Sequence, residues 1–507
     1  MFACRLALLL FAPVLALAKP NLLVIYTDDH SYRTLSCYEG AESWAKTPNM
    51  DRLAARGVRF THAYIGTWCM PSRTTFLTGR HQHGVATMRM TPPYPGATYD
   101  PEQCRFWPAE LRRHGYHTAQ IGKWHAGNDA GFGRDWDHQI VWNRPRHPDN
   151  APNYYHDQLI SFDGGEPRVV KGYSTDNYTD WAIDYIRGKQ RPTDKPWLLW
   201  LCYGGVHAPY TPAERHLGDY PDAEVATPAD IYPPRPGKPG YMQKVAAWQK
   251  GADGQPVLSD KAMGSEVGDD PRRDNGRSLS SWSRQYHQAV RALDEGIGRV
   301  LAALEESDQL NNTLVVLTAD QGYAWGQHGF RAKLAPYDAN LRSPLIVSMP
   351  GTLPEGGVCR TPVGGADLAP TLLGFAGLPQ PWEMHGHDLR PLLNHPDSAW
   401  PHTTLLPFTA DKFGADCDLV PPPPGNRHKT GIPWYLMVVR DRHKYIRTLE
   451  AGEPEELYDL ARDPEELTNL ADRPEKAELL QELRAAAVAE LKRTGAKMVD
   501  SLPPVKP

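Results

Sequence analysis

Acidic and amide side chains stand at two places where an apolar run of the sequence ends. Asp28 and Asp29 follow one such run, and Asp320 and Gln321 follow another. Carboxylate and amide oxygens are the ligands that hard divalent cations such as Ca²⁺ and Mg²⁺ prefer. One Asp pair at the end of a strand could simply cap the chain, but two such pairs favour a site for a divalent cation.

Basic side chains stand at the ends of two further runs. Lys123 provides a compact positive charge that suits an anion, and His125 can transfer a proton or donate a hydrogen bond. His207 ends the next apolar run. Four polar clusters at four run ends indicate a common site.

The runs that precede these clusters are apolar and of strand length, at 21–27, 118–121, 197–206 and 313–319. Such runs are typical of strands buried on both faces of a sheet. Further strands are predicted at 58–64 and 345–349, and helices at 48–56, 72–78, 109–114, 283–306 and 367–376. This alternation predicts an α/β fold with a large, mostly parallel sheet and helices on both faces. Ligands of such sheets lie beyond the carboxyl ends of the strands, which would bring the four clusters together.

Other segments depart from this alternation. The stretches 133–173 and 210–277 are polar and rich in Pro, Gly, Asp and Tyr, and we interpret them as loops or small excursions over the sheet edge. A change of composition at 391–429 precedes predicted antiparallel strands at 435–439 and 444–448 and a helix at 474–491. We therefore expect a catalytic domain over 19–395 and a small α+β unit over 396–507.

The amino terminus has the pattern of a signal peptide over residues 1–18. Arg5 precedes an apolar run at 6–18, and Ala16-Leu17-Ala18 fits a cleavage site that would start the mature chain near Lys19. The run is shorter than the roughly 20 residues of a membrane helix. A buried strand is the alternative interpretation. We expect an exported protein without a membrane span.

Composition excludes some classes of function. The 507 residues carry a formal net charge of −5, which argues against a nucleic-acid partner because duplex binding normally needs a basic face. The 11 Phe, 15 Trp and 23 Tyr exclude a chain that is disordered throughout. Six widely spaced cysteines follow the signal peptide, so one disulfide could form, but the sequence does not indicate its pairing.

The string Cys69-Met70-Pro71-Ser72-Arg73 resembles the C-x-P-x-R signature of the type I sulfatases, within the alkaline-phosphatase-like superfamily. In that family a maturation enzyme oxidises the Cys to formylglycine. The resemblance implies a hydrated aldehyde at Cys69, one hydroxyl of which attacks sulfur while the other later expels sulfate. The string alone would fit a buried structural Cys equally well.

Further motifs extend the resemblance over about residues 20 to 470. The segment from Gly115 to His125 resembles the second sulfatase signature, and the segment from Gly326 to Lys333 is similar to one in which a Lys binds sulfate. His207-Ala208-Pro209 matches the family's H-x-P. Many family members carry Asn or His where this chain has Gln321. The catalytic residues that the resemblance implies are Cys69, Arg73, Lys123, His125, His207 and Lys333, and the implied metal ligands are Asp28, Asp29, Cys69, Asp320 and Gln321.

The resemblance predicts an exported sulfatase, periplasmic or extracellular (lysosomal or secreted in a eukaryote), with one divalent cation, Ca²⁺ before Mg²⁺. Export, long excursions and many aromatic residues favour a sulfated carbohydrate over a small aryl ester. Phosphonate monoester and phosphodiester hydrolases share the fold and the formylglycine, and remain the alternative. A glycan-binding pseudoenzyme is a further alternative, but Cys69, Lys123 and the Asp residues are all retained.

Overall fold

The computed structural model describes residues 19–86, 105–259 and 278–505, together with the backbone of two short strands between the first two ranges. The predicted signal peptide lies outside the described residues. The strands, in chain order, are β1 (Asn21–Thr27), β2 (Val58–Tyr64), β3 (Arg89–Met90), β4 (Ala97–Thr98), β5 (His117–Trp124), β6 (His138–Asn143), β7 (His156–Phe162), β8 (Arg168–Tyr173), β9 (Trp197–Cys202), β10 (Trp248–Lys250), β11 (Pro256–Leu258), β12 (Thr313–Ala319), β13 (Ala324–Trp325), β14 (Arg331–Ala332), β15 (Ser343–Ser348), β16 (Gly357–Cys359), β17 (Val363–Gly364), β18 (Thr404–Phe408), β19 (Tyr435–Arg440), β20 (His443–Thr448) and β21 (Glu455–Asp459). The helices are α1 (Pro48–Ala55), α2 (Cys69–Thr78), α3 (Pro108–Arg113), α4 (Ser174–Ile186), α5 (Leu279–Glu306), α6 (Asp338–Leu341), α7 (Leu368–Phe375), α8 (Arg390–Asn394) and α9 (Ala477–Arg493).

One large sheet organises the catalytic part of the chain. Its strand order is β16-β2-β15-β12-β1-β9-β5-β6-β7-β8, with β17 paired to β2. The central strands β12, β1, β9, β5 and β6 are all parallel to their neighbours within this group. The strands β15, β7 and β8 pair antiparallel. The sheet is therefore mostly parallel, as predicted.

Helices cover both faces of this sheet, because β1 and its neighbours are apolar on both sides. Leu22, Val24 and Tyr26 of β1 pack into one core with α2, α3 and α7. The alternate residues Leu23 and Ile25 pack into a second core with α1, α4 and α5. Every residue of β1 is buried, which explains why its sequence shows no alternation of polar and apolar residues. The predicted fold class is confirmed.

The small antiparallel sheet near the carboxyl terminus has the order β18-β19-β20-β21. Its buried residues belong to the same core as α2, α3 and α7, so the two sheets share one apolar interior. The predicted antiparallel strands are confirmed, whereas the domain boundary between residues 395 and 396 stays a prediction. No helix of the described residues is long and apolar enough to cross a bilayer.

Some elements differ from their predicted bounds for identifiable reasons. The helix α2 begins at Cys69 rather than Ser72, because Pro71 lies in the first turn, where its missing N–H is not needed. The predicted strand at 197–206 ends at Cys202, because the chain beyond it pairs with Asp28 instead: Val206 donates to the Asp28 carbonyl oxygen at 2.7 Å. The excursion at 133–173 contains β6, β7 and β8, which extend the large sheet beyond β5.

Candidate active site

The acidic residues of the site converge at the carboxyl ends of β1 and β12, which are adjacent and parallel. Asp29 has a left-handed backbone, with φ of 53°, and its N–H donates to Asp320 Oδ1 at 2.9 Å. The Gln321 N–H donates to the same oxygen at 3.0 Å, and the Gln321 side-chain amide donates to Asp29 Oδ1. The structure therefore brings together the four oxygen-bearing side chains that the sequence predicts as metal ligands.

The donor set fits a hard cation. Asp320 Oδ2 and Gln321 Oε1 are buried acceptors without a hydrogen-bond donor among the described residues. Buried acceptors without partners are costly unless an ion or water satisfies them. One ligand atom from each of Asp28, Asp29, Cys69 and His207 also lies within 4.8 Å of the others. Four of these six side chains offer an oxygen ligand, which suits Ca²⁺ or Mg²⁺ better than a soft metal.

Mutual repulsion of the carboxylates is visible in their protonation. Burial, together with the charges of Asp28 and Asp29, raises the pKa of Asp320 to about 8. Burial also raises the pKa of Asp28, but Lys123 and Arg73 outweigh it and hold that pKa well below its ordinary value. Three adjacent carboxylates thus need positive charge, which a bound cation would add to that of the basic residues.

Cys69 occupies the first position of α2 and faces this carboxylate cluster. Its thiol donates to Asp28 Oδ1 at 3.5 Å, and the Lys333 ammonium donates to Cys69 Sγ at 3.1 Å. Burial, followed by the charge of Asp28, raises the pKa of the Cys69 thiol to about 12. The unmodified side chain is therefore a protonated thiol near neutral pH and a poor nucleophile, since the thiolate is the reactive form.

Two further cations lie on the other side of Asp28. Arg73 Nη2 donates to Asp28 Oδ2 at 2.8 Å, and the Lys123 ammonium donates to the same oxygen. Arg73 Nη1 donates to the carbonyl oxygen of Lys123 at 3.1 Å, which links α2 to the end of β5. Both side chains are fully buried. Lys123 and Lys333 thus approach the Asp28–Cys69 pair through different atoms.

The carboxyl-terminal sheet holds the segment that carries Lys333. The Tyr435 hydroxyl donates to the Leu334 carbonyl oxygen at 2.6 Å. The buried Lys444 ammonium contacts Asp338 and lies 2.7 Å from Glu466 Oε1. The Asp338 N–H donates to Glu466 Oε2 at 2.6 Å. Because Lys333 precedes these contacts by a few residues, the small sheet fixes the position of the ammonium that reaches Cys69.

The two predicted histidines lie against a pair of residues that sequence reasoning missed. The His207 ring stacks on Tyr154, with centroids 3.9 Å apart and planes 4° apart, and His207 Nε2 lies 3.7 Å from Asp29 Oδ2. The Tyr154 hydroxyl accepts a hydrogen bond from the Lys123 ammonium at 3.2 Å. Arg144 lies 4.8 Å from the Tyr154 ring and 3.4 Å from His125 Nδ1. Tyr154 and Arg144 come from the excursion at 133–173, where no motif marked them.

A hairpin loop over residues 426–434 borders the same site from the carboxyl-terminal part of the chain. It is closed at its base, where the Trp434 N–H donates to the Asn426 carbonyl oxygen at 2.7 Å. Its His428 ring lies 5.9 Å from Trp68, the residue that precedes Cys69. Burial lowers the pKa of His428 to about 4, and the charge of Lys333 contributes to this shift. Residues of the hairpin loop and Lys333 line one cavity, so the loop borders the space beside that lysine.

The described cysteines form no disulfide with one another, and Cys37, Cys69, Cys202 and Cys359 are free thiols. Cys4 and Cys104 lie outside the described residues.

The sequence matches the family model "Sulfatase" over residues 20–378. The chain belongs to the sulfatase family. It is accordingly a sulfuric ester hydrolase, the enzyme class that the sequence motifs predict, and the predicted relationship is confirmed. The match covers all the catalytic and metal-binding residues that the sequence predicts and ends before the carboxyl-terminal sheet begins.

Named relatives agree with this assignment. An N-acetylglucosamine-6-O-sulfatase of Bacteroides thetaiotaomicron is 32% identical over 417 residues, which are 74% of this chain and 71% of that protein. A solved protein in complex with its substrate, D-glucosamine-2-N,6-O-disulfate, is 26% identical and covers 94% of this chain and 98% of its own, with a TM-score of 0.75. A phosphonate monoester hydrolase of Agrobacterium radiobacter, at 23% identity with 94% and 96% covered and a TM-score of 0.66, shares the fold.

Proposed function

We propose that this sulfatase is exported and hydrolyses sulfate esters of a sulfated carbohydrate, using a formylglycine made from Cys69 and one divalent cation. The observation that carries the proposal is the position of Cys69 Sγ, 3.5 Å from Asp28 Oδ1 and 3.1 Å from the Lys333 ammonium. A thiol between a carboxylate and an ammonium, with a pKa raised by burial, is badly suited to act unmodified. Its position, between a carboxylate and an ammonium, instead suits a modified side chain that must lose a proton and then be held in place.

Asp28, Asp29, Asp320 and Gln321 would hold the cation, with the modified Cys69 as a further ligand. When bound, the cation supplies positive charge that neutralises the carboxylates, orients sulfate oxygens and lowers the pKa of a coordinated hydroxyl. The unpartnered oxygens of Asp320 and Gln321 support this set of ligands. Ca²⁺ is favoured over Mg²⁺ because it accepts more ligands in less regular geometry.

The basic residues would bind the sulfate group and stabilise the charge that develops on it. Lys123 and Lys333 offer ammonium groups to its oxygens, and Arg73 holds Asp28 in place through its guanidinium. Electrostatic stabilisation of this kind is usually the largest catalytic contribution. His207 would donate a proton to the leaving alcohol oxygen. His125, beside Arg144, would donate a hydrogen bond to the sulfate.

The carbohydrate assignment rests on relatives and on the excursions. One relative at 32% identity is an N-acetylglucosamine-6-O-sulfatase, and a solved relative at 26% identity binds D-glucosamine-2-N,6-O-disulfate as its substrate. The excursion at 133–173 and the hairpin loop both reach the site, as contacts to a sugar would require. Monosulfated and disulfated glucosamine are therefore the first substrates to assay.

Mass spectrometry of the mature protein tests the mechanism directly. The peptide that contains Cys69 should carry an aldehyde in place of the thiol, introduced by a formylglycine-generating maturation enzyme, and the amino terminus should lie near Lys19. Cys69→Ala should abolish turnover while circular dichroism stays unchanged. Full activity in a preparation whose Cys69 is entirely a thiol would refute the mechanism.

Metal removal tests the second element of the proposal. Chelation should inactivate the enzyme, and added Ca²⁺ or Mg²⁺ should restore turnover. Asp320→Asn and Gln321→Ala should lower the affinity for the added cation, measured by calorimetry on the chelated protein. Activity that survives exhaustive chelation would leave the carboxylate cluster without the proposed role.

Phosphonate monoester hydrolysis is the second candidate, because a hydrolase of that type shares the fold at a TM-score of 0.66. Comparison of kcat/KM for 4-nitrophenyl sulfate and a 4-nitrophenyl phosphonate on one preparation separates the two. We expect the sulfate ester to be preferred. A preference for the phosphonate would refute sulfate ester hydrolysis as the main reaction, without affecting the description of the fold and the site.

A further inference from the structure

A cavity of about 330 Å³ opens beside the candidate active site, and Lys333 is one of its lining residues. The Lys333 ammonium lies 3.1 Å from Cys69 Sγ, so one residue both lines the cavity and contacts the reacting side chain. Ligand sites usually enclose about 300 Å³ or more. The space is therefore large enough for one sugar ring attached to the sulfate that is cleaved.

Three separate parts of the chain form its walls. Tyr241 and Lys244 come from the excursion at 210–277, Phe330 to Leu334 from the segment that carries Lys333, and Arg427 and Ile432 from the hairpin loop. Tyr241, Phe330 and Ile432 are buried and provide apolar surface. A lining that combines apolar surface with charged side chains suits a sugar ring that carries charged substituents.

The charge of the lining is one-sided. Its residues include the cations Lys244, Arg331, Lys333 and Arg427, and no carboxylate lines the described cavity. Lys333 is engaged with Asp29 and Cys69. The Arg331 guanidinium lies over the Trp282 ring at 5.6 Å. Lys244 forms no ion pair with a described residue, and Arg427 uses only part of its guanidinium to pair with Glu450, so both can still donate to a ligand.

The Arg427 side chain is held in a fixed orientation. Its Nε donates to Glu450 Oε1 at 2.6 Å and its Nη2 to Glu450 Oε2 at 2.5 Å. This bidentate pairing leaves Nη1 as a positioned donor, because a guanidinium has five N–H groups in a planar fork. Lys244 is exposed and forms no ion pair with a described residue.

We propose that this cavity binds a second anionic group on the same substrate molecule, a sulfate or carboxylate carried by the leaving alcohol, through Lys244 and Arg427. The inference rests on the proposed function, since it assigns the part of the substrate that remains after sulfate is cleaved. The enzyme would prefer sugars that carry at least two negative charges. Charge-assisted hydrogen bonds at the mouth of a partly enclosed cavity give the selectivity.

The test compares matched substrates. Each pair consists of a monosulfated hexosamine and either its disulfate or a disaccharide that adds a uronic acid, so that the two pairs distinguish a sulfate from a carboxylate as the second anion. The measured quantity is the ratio of kcat/KM within each pair. We expect a ratio of at least 10 for one pair of the panel, on the basis of one charge-assisted hydrogen bond.

Lys244→Gln should lower that ratio on the order of 10-fold, and Lys244→Glu should lower it further. Lys250→Gln is the matched control, because Lys250 is exposed on the same excursion and does not line the cavity. It should leave the ratio unchanged. Since Lys244 is on the surface, melting temperatures should be equal for all three variants.

Two results would overturn the inference: wild-type ratios near one for every pair, or an equal loss on both members of a pair in Lys244→Gln. Both results can occur in an enzyme that hydrolyses 4-nitrophenyl sulfate, so the proposed function would survive them. Absence of turnover of every sulfate ester by the mature wild-type enzyme would instead refute the proposed function.

Discussion

Two regions of the candidate site are built differently. The strand-end cluster, comprising Asp28, Asp29, Lys123, Asp320 and Gln321, lies at the carboxyl ends of β1, β5 and β12, whose paired backbones fix where each side chain begins. The outer wall, comprising Arg144, Tyr154, Lys244, Arg427 and His428, comes from the excursions at 133–173 and 210–277 and from the hairpin loop. In the proposed mechanism, the sulfate group common to all substrates faces the strand-end cluster with Cys69 and Lys333, whereas the leaving alcohol, which varies, faces the outer wall.

Lys333→Ala should cause the largest loss among the variants that keep Cys69. Lys333 contacts both Asp29 and Cys69, so its removal takes away charge on the reacting side of the strand-end cluster. We expect kcat to fall on the order of 10²–10³-fold on every sulfate ester, by analogy with one oxyanion donor. Lys412→Ala, at a partly exposed site outside the strand-end cluster, is the control. An unchanged kcat would remove Lys333 from the mechanism.

Tyr154 joins the two regions, and its two functions can be separated. Tyr154→Phe keeps the ring against His207 but loses the hydroxyl that accepts from Lys123, and should cost on the order of 10-fold in kcat. Tyr154→Leu loses both contacts and should cost more.

Substrates with different leaving groups distinguish a catalytic effect of Tyr154 from a purely structural one. Because His207 is proposed to protonate the leaving oxygen, the added loss in Tyr154→Leu should be larger for an alkyl sulfate than for 4-nitrophenyl sulfate, whose leaving group needs little protonation. His207→Ala should show the same dependence. Equal losses on both esters, with a lowered melting temperature, would mean that Tyr154 only supports the fold.

Replacement of His428-Lys429-Thr430 in the hairpin loop by Gly-Ser-Gly should affect the outer wall alone. We expect kcat/KM for a sulfated sugar to fall about 10-fold, and for an aryl sulfate much less, because pocket contacts of this size discriminate by about 1–3 kcal/mol. The base of the loop, at Asn426 and Trp434, stays intact. An equal loss on both substrates would show that the loop supports the site rather than contacting the sugar.

One contribution to acid stability lies outside both regions. Burial lowers the pKa of His287 in α5 to about 4, whereas in the unfolded chain it is about 6.5. The unfolded state therefore binds more protons between these values, and the free energy of unfolding should fall as the pH drops from 6.5 to 4. The slope is about 1.4 kcal/mol per pH unit for each such histidine. Urea titrations of wild type and His287→Gln, which should have a smaller slope, measure it.

The strand-end cluster could be predicted from the sequence, because the same residues that make β1 and β12 apolar on both faces also determine where they end. The predicted bounds of β1, β2 and β12 match those of the structure. The motif around Cys69 located α2, although the proline in its first turn concealed where that helix begins.

The outer wall could not be predicted in the same way. Tyr154 lies in a polar stretch whose strands β7 and β8 are partly exposed, so no alternation of apolar residues marks which side chains point inward. Its contact with His207 joins residues 53 positions apart, and depends on how the excursion folds back over β9. Tyrosines are common in such stretches. Tyr154 differs from the others only in its distance from the site, which the sequence does not show.

The attachment of the Lys333 segment to the carboxyl-terminal sheet makes that sheet part of the catalytic apparatus. Tyr435, Lys444 and Glu466 form hydrogen bonds and an ion pair with the segment just beyond Lys333. A frameshift or a protease cut near residue 430 would leave every ligand of the strand-end cluster encoded, yet separate the Lys333 segment from the sheet that holds it and open the core that the two sheets share. Truncated gene products of this kind would retain their metal-binding residues and lose turnover, so the last hundred residues cannot be trimmed as an accessory when the enzyme is engineered.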